Sequence, residues 1–72
     1  MTFQELLTEN GDHPDNEELL LELAEESEYW EKCHSFYEDN KETDIDDLTD
    51  KQAAWVTKIC DGVTNYRIEG KP

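Results

Sequence analysis

The chain has 72 residues, 20 of them Asp or Glu and six Lys or Arg, giving a formal charge of −14 and a sequence pI near 4.1. Phosphate binding needs clustered Lys and Arg to displace counterions, so this balance excludes direct gripping of nucleic acid. Length and a 35% hydrophobic content leave room for one small domain over 1–72, which buries only about 60% of its unfolded surface.

The first predicted element is a short helix. Thr2 with Glu5 three residues on fits a capping box, Phe3, Leu6 and Leu7 form its apolar stripe, and Gly11 stops it. Asn10 to Pro14 carries the breaker chemistry of a turn. A second capping box, Asp15 with Glu18, opens the dominant segment, with Asn16 as a competing N-cap. No glycine or proline interrupts the chain from there to about Asn40. Leu19, Leu20, Leu23, Ser27, Trp30, Cys33, His34 and Tyr37 follow three-and-four spacing. One long helix of about 35 Å is expected, with a bend near Ser27 or Glu28 as a variant.

Asn40 to Asp47 reads as an acidic loop, and a third helix follows. Thr49 caps it, Gln52 closes the box, and Leu48 is placed to staple onto Ala53. Ala53, Val56, Ile59, Cys60 and Val63 form its expected buried stripe, Trp55 lies at the margin, and Gly62 is the expected stop. Residues 64–72 are left as a tail that docks as an extended strip or frays. The fold class is therefore all-α: about three helices, a long central one packed by a short N-terminal and a C-terminal helix.

The block from Trp30 to Val63, above all Leu48-Thr49-Asp50-Lys51-Gln52-Ala53-Ala54-Trp55-Val56-Thr57-Lys58-Ile59, resembles a pattern of small phage-encoded proteins. In that helix-loop-helix pattern Leu-Ser/Thr-x-Lys-Gln opens a terminal helix. Such proteins include host-takeover factors, so the resemblance implies a phage protein acting in the host cytoplasm. It carries over no catalytic or binding residue. A cytoplasmic setting also suits the opening Met1-Thr2-Phe3-Gln4-Glu5, which lacks the basic start and apolar run of a secretory signal. Two cysteines, Cys33 and Cys60, are too few for a disulfide scaffold, and reduced core thiols are expected, with a Cys33–Cys60 bridge as the lesser alternative.

Other chemistries fail on spacing. A calcium loop counted from Asp44 would need oxygen at Leu48, Gly at Thr49 and Glu at Trp55. Zinc needs close ligand pairs, and adjacent Cys33 and His34 point about 100° apart on a helix. The same divergence argues against a Cys/His nucleophile, and the isolated glycines Gly11, Gly62 and Gly70 make no phosphate loop. No metal, cofactor or enzymatic activity is expected.

The acid itself is the remaining signal. On a helical wheel Glu18, Glu22, Glu25 and Glu28 cluster opposite the Leu20/Leu23/Trp30 face, and Tyr29 and Phe36 project near them. Leu21 also lies off the apolar stripe. Carboxylates can imitate duplex phosphate, and aromatic anchors are common hot spots of interfaces. Asp44, Asp46 and Asp47 extend the negative surface. The expectation is a partner-binding surface of Glu18, Glu22, Glu25, Glu28, Tyr29, Phe36, Asp44, Asp46 and Asp47, facing the basic groove of a host nucleic-acid-handling protein. The alternative is a helical assembly module that dimerises or docks through Leu19, Leu20, Leu23 and Trp30, its acid serving only solubility. Neither reading involves a membrane.

Overall fold

The computed structural model describes residues 1–70. It is all-α, with four helices, two short 3-10 turns and no strand among the described residues. No described helix is long and apolar enough to cross a membrane.

Helix α1 (Phe3–Glu9) has the capping box read from sequence: Glu5 N–H donates to Thr2 Oγ1 (3.2 Å) and Thr2 N–H to Glu5 Oε1 (3.0 Å). Gly11 at φ +65° and Asp12 at φ +60° then turn the chain through a 3-10 turn, Asn10–Asp12. Helix α2 (Asn16–Glu26) follows, but Asp15 makes no side-chain cap. Asn16 is no cap either. It is buried in the first turn, its amide donating to the carbonyls of Leu7 (2.8 Å) and Asn10 (3.0 Å).

The single long helix does not form. Ser27 takes extended angles (φ −149°, ψ 136°), ending α2 and starting helix α3, Glu28–Asn40. The two helices fold back on each other, as the Tyr37 hydroxyl shows by donating to Glu17, each ten residues from Ser27. The physical reason is burial. A straight helix would hold its stripe along about 38 Å of solvent, longer than the molecule's greatest extent of 32 Å. The hairpin instead buries Leu20 and Leu23 with Trp30, Cys33 and Tyr37 in one core, together with Phe3, Leu7, Val56, Ile59 and Val63. His34, placed on the apolar face by spacing, lies at its edge and meets Glu38 at 3.4 Å.

After the second 3-10 turn (Ile45–Asp47), helix α4 runs from Asp50 to Glu69. Its Thr49/Gln52 capping box is present in both directions. Val56, Ile59 and Val63 are buried as expected, whereas Ala53 is exposed. Gly62 does not stop the helix. It sits in the interior, where a Cβ would lie 2.4 Å from the Trp30 ring, so the glycine is the seat of that ring. The actual terminator is Gly70, at φ +72°, whose N–H donates to the Tyr66 carbonyl at 2.7 Å. Residues 64–69 of the expected tail are thus helical; Lys71 and Pro72 lie outside the described residues.

Polar ties lock the elements together. Asn10 Nδ2 donates to Cys60 O (3.2 Å) and Thr64 Oγ1 (2.9 Å), joining the α1–α2 turn to α4. Arg67 Nε donates to Asn16 Oδ1 and its Nη2 to Asp15, both at 2.8 Å. At the other end, Phe3 N–H donates to Thr43 O, Gln4 N–H to Lys41 O and Ile45 N–H to Met1 O.

Candidate functional site

The exposed side of α2 follows from its buried side. With Asn16, Leu20 and Leu23 inward, 100° per residue turns Glu18, Glu22 and Glu25 to solvent. None of the three forms an ion pair among the described residues. Leu21, one turn from Glu18 and from Glu25, stands 48% exposed among them. The helix carries five glutamates and no base.

Glu28 is not part of this row. The break at Ser27 puts it in the first turn of α3, where the helix dipole favours acid, beside Tyr29 at the hairpin corner. A shallow depression of about 250 Å³, lined by Glu28, Glu31, Lys32 and Ser35, runs along that side of α3. Tyr29 is 48% exposed and rests edge-on against Trp30, ring centroids 5.4 Å apart. Partial burial, with Cys33 next to it, pushes its hydroxyl above the ordinary range.

The other aromatic is placed differently. Phe36 is half-buried, tilted against Phe3 (5.9 Å) and stacked on Trp55 (5.8 Å, 23°), with Lys58 over the Trp55 ring at 5.6 Å. It therefore packs α3 against α1 and α4 instead of projecting beside the acid row.

The loop acids divide too. Asp44 Oδ2 meets the Met1 amino group at 3.3 Å, and its Oδ1 accepts from Asp46 N–H at 2.9 Å. Those contacts, the backbone one first, hold its carboxyl below the usual carboxylate range. Asp44 is thus a fastener for the N-terminal segment, while Asp46 and Asp47 are exposed. They lie beyond the C-terminal end of α3, about 20 Å along its axis from Glu28. The acids named from the sequence are accordingly not one row: Glu28 sits at the Ser27 corner, and Asp46 and Asp47 follow the opposite end of α3.

Helix α4 stands apart, its Lys51, Lys58 and Arg67 balancing Asp50, Asp61 and Glu69. Along the chain, the net negative charge therefore lies in the residues that precede a neutral α4.

The Leu19/Leu20/Leu23/Trp30 stripe is internal: Leu20, Leu23 and Trp30 are buried and Leu19 is partly covered. Within one folded chain it offers no docking face. Neither cysteine is bridged. Burial raises both thiols, Cys60 to about 11, which keeps them protonated and unreactive. No group of three or more His, Cys, Asp or Glu is placed to hold a metal ion among the described residues.

Two of these features had no signal strong enough to read from residues alone. Arg67 as the partner of Asp15 and Asn16, and Tyr37 as the partner of Glu17, join residues 52 and 20 positions apart. No family model, curated protein or solved structure matches the chain.

Proposed function

We propose that this chain is a non-enzymatic, phage-encoded binding protein that inhibits or modulates a host nucleic-acid-handling protein by occupying its basic surface. The observation that carries the reading is the outward face of α2, where Glu18, Glu22 and Glu25 stand around an exposed Leu21 with no ion pair among the described residues. With neighbouring Glu26, four carboxylates fall along about 12 Å of helix axis, close to the one charge per ~3.4 Å of a single DNA strand. Leu21 and Tyr29 add what phosphate lacks, an apolar contact able to settle in a pocket of the partner. The net charge of −14 supports the same reading, because so acidic a molecule is steered electrostatically toward a basic groove. The cytoplasm of the host is the compartment this function needs.

Charge-led association weakens as ionic strength rises, whereas apolar docking holds or strengthens. Replacing Glu18, Glu22 and Glu25 together by Gln is expected to lower the association rate for the partner roughly tenfold and to flatten its salt dependence. Unchanged rate and slope in that variant would sink the charge mechanism.

A further inference from the structure

We infer that the α2–α3 corner is a one-residue hinge through which two copies of this chain exchange halves, residues 1–26 of one packing on residues 28–70 of the other. The first observation is the corner itself. A single residue, Ser27, separates helices of eleven and thirteen residues, and it is neither Gly nor Pro. Its side chain makes no cap hydrogen bond to either helix. The last turn of α2 contains no basic residue and ends in Glu25 and Glu26, at the helix end where carboxylates are disfavoured.

A fused helix over 16–40 removes each of those defects. About four carbonyls at the end of α2 and four N–H groups at the start of α3, left without partners in their own helices, would bond one another. The acids Glu25 and Glu26 would then lie mid-helix. Three-and-four spacing runs on across the corner, from Leu20 and Leu23 through Ser27 to Trp30, Cys33 and Tyr37. Short hinges between well-matched halves are the usual setting for such exchange.

The second observation is that almost everything holding the two halves together is independent of the hinge. The Glu17–Tyr37 bond, the Asn10 bonds to α4, the Arg67 contacts to Asp15 and Asn16, and the Met1–Asp44 pair all cross from one half to the other. Each re-forms unchanged between copies, as does the burial of Leu20 and Leu23. The two forms therefore differ only at the corner, in Ser27 and the turns of α2 and α3 that adjoin it. The monomer is favoured at low concentration, since its halves are tethered, and the dimer at high concentration. This inference does not rest on the acidic-face reading, because Glu18, Glu22 and Glu25 face solvent in both forms.

The test is sedimentation equilibrium on the full chain after refolding from denaturant at low and at high protein concentration. Ser27→Ala, a better helix former at the hinge, is expected to raise the dimerisation constant roughly fivefold, two hinges changing per dimer. Glu28→Pro places proline at the first position of α3, which the folded monomer accommodates and which Ser27's extended angles suit. In a fused helix it removes a bond and clashes with the preceding turn, so that variant is expected to remain monomeric at every concentration while keeping its helical circular dichroism. Glu28→Gln, the charge control, should behave as wild type. A wild-type chain that stays monomeric after concentrated refolding overturns the proposal, and so does a dimer that Glu28→Pro forms equally well. If Ser27→Ala fails to fold, wild type against Glu28→Pro decides alone.

Discussion

Gly62 and Trp30 show how far a single atom governs this core. Alanine at 62 would gain about 1 kcal/mol of helix propensity, yet its Cβ would lie 2.4 Å from a ring that is itself buried. With the ring almost wholly buried, overpacking outweighs the propensity gain. Gly62→Ala is expected to destabilise the fold by about 1–3 kcal/mol, read as a lower urea midpoint with an unchanged slope. A stabilised variant would mean that Trp30 is not seated against α4. From the sequence this glycine looks like a stop signal, because helix ends are where glycine is common. What distinguishes Gly62 from Gly70 is a tryptophan 32 positions away, and no local rule reaches that far. Asn16 presents the same difficulty: its amide looks like a cap, but its partners Leu7, Asn10 and Arg67 come from three other parts of the chain.

At the scale of elements, what was legible was what is local. The capping boxes at Thr2/Glu5 and Thr49/Gln52 involve residues three apart and form as read. At Ser27 a bend was legible as a variant but the full hairpin was not, since no glycine or proline breaks the chain from Asn16 to Asn40 and the tertiary gain of closing the core does. Glu5 and Asp44 make the N-terminal elements sensitive to acid. Backbone hydrogen bonds to each, from Thr2 and Asp46, hold both carboxyls below their ordinary values. A lowered folded-state value means the stabilisation is complete above the unfolded-state pKa and is lost as pH falls through the lowered one. The docking of α1 should therefore loosen below about pH 4. Exchange protection of the Phe3 and Gln4 amides, which donate to Thr43 and Lys41, should fall there before that of Ile59 in the core. Simultaneous loss of protection at all three positions would contradict a local fastener.

For the whole molecule, the acid bias was plain from composition, and the outward turn of Glu18, Glu22 and Glu25 from helical period. Their separation from Glu28, and the inward packing of Phe36 onto Phe3 and Trp55, depend on the corner and so were hidden with it. The neutrality of α4 was present in the sequence, but its extent is plain only once α4 is known to run unbroken from Asp50 to Glu69. A small, strongly acidic molecule with Glu18, Glu22 and Glu25 turned to solvent suits a role in competing for a basic groove. Whether the chain competes for such a groove is decided by capturing partners of the immobilised chain from a bacterial lysate with and without excess duplex DNA. The expected catch is a nucleic-acid-binding protein that wild type retains, that DNA displaces, and that the Glu18, Glu22 and Glu25→Gln variant fails to hold. Recovery of the bait alone, or of partners that both chains hold equally and DNA leaves in place, would contradict it.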